Sequence, residues 1–229
     1  MKERRKDLLW EMALILLTVA ACLYSTGAGN IFGAKVDWSS QHSVFPEYFR
    51  QQFYRTGQFF PEFALNIGGG QNIYNFSYYG LFSPVVLIGY LLPNVKMSDY
   101  MMVASIVCLA AAVIILYRWL KSREFTAAVS GMTALMFLFA GPMIYQSSHQ
   151  IMFVNYMPFL CLTFCGIDRY FEQKKSGLLI GGIFLMIMTS FYFSIGGILA
   201  LGLYGIYRYA RTKERTEEMI TVKGFSGDG

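Results

Sequence analysis

Residues 33–93 read GAKVDWSSQHSVFPEYFRQQFYRTGQFFPEFALNIGGGQNIYNFSYYGLFSPVVLIGYLLP. Much of the chain's polar and acidic chemistry lies in this stretch, and on both sides of it the sequence turns apolar over membrane-crossing lengths. Such an arrangement predicts a loop at the membrane surface, held between crossings. On the N-terminal side, Leu8 to Thr26 would be roughly 28 Å long as a helix, which matches the hydrocarbon core. Lys2, Arg4, Arg5 and Lys6 precede that run and few basic residues follow it. The N-terminus is therefore expected in the cytoplasm and the loop outside. The small residues Thr26-Gly27-Ala28 also suit a cleaved signal peptide, a reading that exports the loop equally.

Bulk composition points the same way. Of 229 residues, 55% are hydrophobic and 14% charged, whereas a soluble domain carries about a quarter charged residues. The deficit leaves too little polar surface to cover a water-exposed globule, so lipid must solvate much of the chain. A net charge of +5 would hint at nucleic acid in a soluble protein. Here the basic residues gather at the ends of apolar runs, where they set orientation, and no nucleic-acid partner is expected. Cys22, Cys108, Cys161 and Cys165 lie inside apolar runs without metal-ligand spacing, and are read as small packing residues.

Beyond the loop, Met97 to Tyr117 reads as a full crossing that ends at the cytoplasmic Arg118, Lys121 and Arg123. Phe125 to Ala140 returns outward, and Gly141 to Asn155 makes a short outer connection. Tyr156 to Ile167, with a few preceding residues, goes back to Asp168-Arg169, Lys174 and Lys175. The last apolar stretch, Gly177 to Tyr207, would be roughly 46 Å long as one helix, and Arg208, Arg211, Lys213 and Arg215 follow it. A break near Ser190–Ser194, with Gly196-Gly197 after it, divides it into two short helices and keeps both termini inside. One long tilted helix with an exported tail is the alternative.

The expected architecture is an all-α polytopic membrane protein with about six transmembrane helices, the last two short. Residues 1–211 form one transmembrane domain: 8–28, the extracytoplasmic loop 33–93 with interfacial and re-entrant helices, then 97–117, 125–142, 151–167, 177–191 and 195–208. Residues 212–229 are a polar cytoplasmic tail, expected to be disordered.

Within the loop, Val44, Phe45, Tyr48, Phe49, Gln52 and Phe53 recur at helical spacing, with Glu47, Arg50, Gln51 and Arg55 on the other side. Ser43 is placed to cap that helix, Pro46 fits its first turn and Gly57 its end. Such a helix suits the membrane interface, and equally a packed position on other protein. Gly68-Gly69-Gly70 predicts a turn. Tyr74, Phe76, Tyr78, Tyr79 and Phe82 predict an aromatic belt at headgroup depth. Ser83 to Leu92, bracketed by Pro84 and Pro93, predicts a re-entrant or interfacial helix.

The spans carry almost no charge, which argues against an ion-coupled transporter. No nucleophile elbow, phosphate loop or metal-binding spacing is present. No metal ligands are assigned and no cofactor is expected, with a divalent metal left open. What remains is Asp37, just past the first crossing, with Trp38, Gln41 and His42 beside it. A carboxylate there is ionised at neutral pH and can take the proton of an acceptor hydroxyl as that hydroxyl attacks a sugar carbon. Lys35, Arg50 and Arg55 are candidates to hold a lipid-phosphate leaving group, and Trp38 to stack on a sugar or line a lipid path. A turn-capping aspartate is the plain alternative.

Asp37, Gln41-His42, Phe45-Pro46, Gly68-Gly69-Gly70, Tyr78-Tyr79 and Ser83-Pro84 resemble, in order and spacing, the start of the bacterial YfhO-type membrane proteins. Gly141-Pro142, His149, Phe153-Val154-Asn155, Pro158, Asp168-Arg169-Tyr170 and Ser190-Phe191-Tyr192-Phe193 continue the likeness, which runs over nearly the whole chain. That family is similar to integral-membrane glycosyltransferases of the GT-C type. The resemblance implies a GT-C-like, multi-pass protein of the bacterial cell membrane, with a polyprenyl-phosphate-linked sugar as donor. It implies a cell-surface polymer such as the teichoic acid of Gram-positive bacteria as acceptor. It also implies Asp37, the acidic residue of the first outer loop, as catalytic base. Gln41, His42 and His149 match recurrent family positions and join Lys35, Trp38, Arg50 and Arg55 as candidates for contact with substrate or lipid phosphate. YfhO-type proteins are several times longer, so the resemblance makes this chain the counterpart of their N-terminal portion, a truncated product. A non-catalytic membrane scaffold, or a lipid or polymer export component, is the alternative function.

Overall fold

The computed structural model describes residues 2–26 and 35–225. In chain order its helices are α1 (Lys2–Thr26), α2 (Lys35–Asp37), α3 (Val44–Thr56), α4 (Pro84–Gly89), α5 (Met97–Ser122), α6 (Ala127–Leu138), α7 (Gly141–His149), α8 (Ile151–Gln173), α9 (Gly177–Thr189) and α10 (Phe191–Phe225). A π-helical turn over Trp38–His42 follows α2, and a 3-10 turn over Ile73–Tyr79 precedes α4. The fold is all-α and polytopic, because backbone in lipid must satisfy its own hydrogen bonds. Among the described residues α1, α5 and α8 are long and apolar enough to cross a membrane, and α6 with α7 is a fourth crossing if the bent pair is one span. At 13 residues, α9 is roughly 20 Å long and shorter than a bilayer core.

Several boundaries differ from the sequence expectation, each for a physical reason. Residues 27–28 of the expected first crossing, residues 33–34 of the loop and the cleavage motif past Thr26 lie outside the described residues. Residues 141–149, expected as a connection, form α7, bent by 51° from α6. Pro142 sits in the first turn of α7, where it lacks a donor and cannot extend the preceding helix. α5 and α8 run on to Ser122 and Gln173, because their polar ends pair with one another instead of fraying. Ser190 is extended, with φ −158° and ψ 101°, and separates α9 from α10. Ser194 Oγ donates to the carbonyls of Met186 at 2.9 Å and Ser190 at 2.6 Å, which answers part of the hydrogen-bonding deficit a break creates in apolar surroundings. α10 then continues through residues 212–225, expected as a disordered tail, since no Gly or Pro interrupts Thr212–Lys223. Residues 226–229 lie outside the described residues.

Close helix approach is set by glycine. A Cβ on Gly166 of α8 would come within 2.7 Å of the Leu179 backbone of α9, and one on Gly182 within 2.5 Å of Thr163 Cγ2. Small residues are what allow membrane helices to pack at such distances.

Polar contacts define the two ends of the bundle. At one end, Tyr117 Oη donates to Asp7 Oδ1 at 2.7 Å and Arg118 pairs with Glu11 at 2.8 Å, which ties α1 to α5. Trp119, Tyr204 and Arg208 converge there on Asp168, which ties α5, α8 and α10. At the other end, Tyr78 bonds Gln150 at the start of α8. Hence α1, α9 and the α6–α7 pair run toward the loop end, and α5, α8 and α10 run away from it.

The loop has a core of its own. Phe49, Ile73, Phe76, Leu81, Val86 and Tyr90 pack over Met97 and Met101 of α5, Ile151 and Met152 of α8, and the partly buried Phe193 of α10. Within it, β1 (Phe63–Ala64) and β2 (Gln71–Asn72) pair antiparallel, a two-residue ladder that the all-helical expectation lacks. Gly68, Gly69 and Gly70 turn the chain between them at φ 59°, 78° and 95°, the left-handed region that glycine enters without penalty.

Candidate functional site

Asp37 ends α2 and opens the π-helical turn. The Ser43 amide donates to Trp38 O at 3.1 Å and Ser43 Oγ donates to the same oxygen at 2.7 Å. That five-residue reach is π geometry, which occurs mostly as single turns and often at functional sites. Ser43, expected to cap α3, closes this turn instead and makes no side-chain cap bond. At α-helical rotation Asp37 and His42 would diverge by about 140°. In the π-turn the carboxylate reaches the imidazole through its charge and not through a hydrogen bond.

His42 is buried at 1% exposure, and neither ring nitrogen has a hydrogen-bond partner among the described residues. Its ring lies 6.5 Å from that of Tyr79, which stacks on Phe45 at 4.4 Å. Burial holds the imidazole below the ordinary histidine pKa, against the opposing pull of Asp37. A base kept neutral in the folded state adds stability that is complete above its unfolded value, about 6.5. That stability fades as the pH falls below 6.5 through the lower folded value. The melting temperature is therefore expected to drop on acidification from pH 7.5 toward 5, and to drop less in His42→Gln; equal pH slopes in a thermal-melt series would contradict this.

Tyr78 Oη donates to Gln150 Oε1 at 3.0 Å, and its ring meets Tyr79, Phe191 and Tyr192 nearly edge-on at 5.3, 6.4 and 6.1 Å. Burial raises the Tyr78 hydroxyl pKa, and the charges of Tyr79, Tyr192 and Asp37 raise it further. The half-buried Asp37 thus lies within electrostatic reach of both His42 and Tyr78. His42, Tyr78, Tyr79, Gln150, Phe191 and Tyr192 are joined here by ring contacts and the Tyr78–Gln150 bond. Sequence reasoning assigned Tyr78 to a belt and passed over Gln150 and Tyr192. The aromatic run Ser190–Phe193 was the available signal, but its partner lies more than a hundred residues away in the chain.

The other candidates fall as follows. Trp38 is buried in the loop core at 6% exposure. Gln41 is half-buried on the same π-turn. His149 ends α7 next to Gln150; its Nδ1 lies 2.8 Å from Tyr145 O and its ring stacks on Tyr145 at 4.1 Å. The Lys35 side chain lies outside what the structure describes. Arg55 is exposed and donates to Gln52 Oε1 at 2.7 Å.

Arg50, expected on the charged face of α3, is 5% exposed. Its guanidinium pairs with Glu47 at 2.6 Å and donates to the carbonyls of Leu92 at 2.8 Å and Val95 at 2.6 Å. Those contacts fasten α3 to the chain entering α5 and make Arg50 a clamp of the loop. Arg50→Met is expected to cost about 1–3 kcal/mol by stranding the carbonyls and Glu47, read as a lower melting temperature and faster proteolysis of the loop. Among the described residues no three of His, Cys, Asp and Glu gather as a metal-holding group.

A bundle of apolar helices, with a folded loop seated on one end and paired charges at the other, defines a multi-pass integral membrane protein. The sequence model of the family described as bacterial membrane protein YfhO matches residues 12–225, and the chain belongs to that family. No curated protein and no solved structure matches the chain.

Proposed function

We propose that the protein is a GT-C-type glycosyltransferase that passes a sugar from a polyprenyl-phosphate carrier to a hydroxyl of a cell-surface polymer such as teichoic acid, with Asp37 as general base. The observation that carries the reading is the setting of Asp37. It is a half-buried carboxylate with no hydrogen bond or ion pair among the described residues, within electrostatic reach of the buried His42 imidazole and the Tyr78 hydroxyl. Such a carboxylate has its lone pairs available for a proton. In this reading the acceptor O–H bond breaks toward Asp37 as its oxygen bonds the sugar carbon, and the phosphate departs with the electrons of the old C–O bond. Tyr78 and Tyr192 offer ring faces to the sugar. With Arg50 clamped and Arg55 turned outward, Lys35 is the remaining candidate of the three cations for the phosphate.

Orientation follows the same reading. Arg118, Lys121, Arg123, Lys174, Lys175 and Arg208 collect at the end opposite the loop with the N-terminal Arg4, Arg5 and Lys6, an excess expected on the cytoplasmic side. The loop then faces outward, where lipid-carried sugars are spent. The test is the glycan content of surface polymer in cells that carry only Asp37→Asn. Loss at unchanged protein level supports transfer by this residue, and normal glycosylation favours the scaffold or export reading.

A further inference from the structure

We propose that the loop end of the bundle is stepped, with its α9–α10 side sunk about 10 Å into the outer leaflet, and that a ligand whose phosphate is carried on a long apolar chain reaches the foot of the step sideways from the lipid. The step stands on helix geometry. Naming the ligand as a polyprenyl phosphate rests on the glycosyl-transfer reading.

Asp168 gives three helices a common level, because it accepts from Trp119 of α5 and Tyr204 of α10 at 2.7 Å each. All three run away from the loop, so their side chains lean the same way and add little offset between them. Counted upward from that level at about 1.5 Å per residue, α5 reaches roughly 33 Å at Met97, α8 roughly 26 Å at Ile151 and α10 only roughly 20 Å at Phe191. α9 agrees with α10. Its Leu179 backbone passes Gly166, which lies just above Asp168 on α8, and its last residue, Thr189, then stands roughly 18 Å above the level. Ring contacts fix the join independently, since Phe193 meets Phe153 at 5.1 Å and Tyr156 at 6.0 Å, below the start of α8. Arg123, Arg208 and Glu172 pair around Asp168, which suits the cytoplasmic boundary of the hydrocarbon. A core about 30 Å thick then reaches the top of α5 and passes about 10 Å above the tip of the α9–α10 hairpin.

The tip is apolar on one flank and polar behind it. Tyr192, Ile195, Leu199, Leu203 and Ile206 are all exposed and recur at the spacing of one helix face. That face makes an unbroken apolar track from the tip down α10, continuous with the lipid-facing surface, as a long chain requires. Behind Tyr192 stands Tyr78, whose ring meets it at 6.1 Å and whose hydroxyl bonds Gln150 Oε1 at 3.0 Å. Polar groups are costly to keep at such a depth. A phosphate head carried in the outer leaflet travels near this depth, and its tail has the α10 track to lie on.

The full chain in lipid nanodiscs carries a nitroxide at Tyr192→Cys or, as the upper reference, at Lys96→Cys just before α5. Wild type taken through the same labelling is the blank for the native cysteines. Collision rates with oxygen, which favours lipid, and with a water-soluble nickel chelate give the depth. The 192 label is expected about 10 Å deeper than the 96 label. Equal depths overturn the step, and so does a 192 label that neither reagent reaches, because protein would then cover the flank. Undecaprenyl phosphate is added next, and is expected to slow the 192 label and leave the 96 label unchanged. Inorganic phosphate and phosphatidylglycerol are expected to change neither. No response to the carrier overturns the proposal. So does a response to inorganic phosphate, which means entry from water, or an equal response to phosphatidylglycerol, which means no preference for the carrier. Should Tyr192→Cys fail to fold, Ile195→Cys on the same face replaces it. Neither readout involves sugar or transfer. Normal glycosylation in Asp37→Asn would therefore sink the base assignment without touching the step, and equal label depths would sink the step without touching the base assignment.

Discussion

Asp168→Ala is expected to destabilise the bundle by about 3–5 kcal/mol, the usual cost of removing one partner of a buried charge pair. Asp168 is 6% exposed. Its Oδ2 accepts from Trp119 Nε1 at 2.7 Å and its Oδ1 from Tyr204 Oη at 2.7 Å. Arg208 Nε sits 2.9 Å from Oδ1, close enough for charge pairing though not aligned as a hydrogen bond, and Arg123 lies at 3.9 Å. Alanine strands the indole, the phenol and a guanidinium whose side chain is 11% exposed. Asn should cost less, because the tyrosine hydroxyl can rotate to suit an amide while Arg208 loses its counter-charge. Glu172 provides the control. It pairs with Arg123 at 2.6 Å and Arg208 at 3.0 Å but is half exposed, so Glu172→Ala is expected to cost no more than about 1 kcal/mol. Melting in detergent micelles ranks the three, and a Glu172 variant as unstable as Asp168→Ala would refute the ordering.

The second large effect is on rate. Asp37→Asn is expected to lower transfer by about 10²- to 10⁴-fold, the usual contribution of a positioned general base. The amide keeps the shape and cannot accept the proton. Stability should hardly move, since no hydrogen bond or ion pair of the folded chain uses the carboxylate among the described residues. Asp37→Glu should retain a small fraction of the rate, with the proton-accepting oxygens displaced by one methylene. A purified-enzyme assay beside a melting curve separates the two readouts, and a parallel loss of both would mean that Asp37 is structural.

These two aspartates differ in how far the sequence announces them. Apolar runs of bilayer length made the membrane class and the loop between crossings readable, because lipid leaves the backbone few alternatives. Helix α3 and its left-handed end at Gly57 were readable for the same local reason, an aromatic period closed by glycine. What local pattern does not encode is partnership. Arg50 looked like a charge on a wet face, since the carbonyls that bury it come 42 and 45 residues later. The π-turn leaves no periodic trace, so the burial of His42 at its end was not readable either. Asp168 read as the polar stop of a crossing. Its role as the hub of three helices depends on Trp119 and Tyr204, 49 and 36 residues away.

The loop rests on Met97, Met101, Ile151 and Met152, side chains that belong to the membrane helices and not to the loop. A synthetic peptide of residues 35–93 would therefore expose the underside of Phe49, Ile73 and Leu81 to water and have nothing to fold against. Its ligand-binding properties would say little about the intact protein. Thioethers are also the most deformable of apolar contacts, so the spans can shift beneath the loop by small amounts without opening a gap.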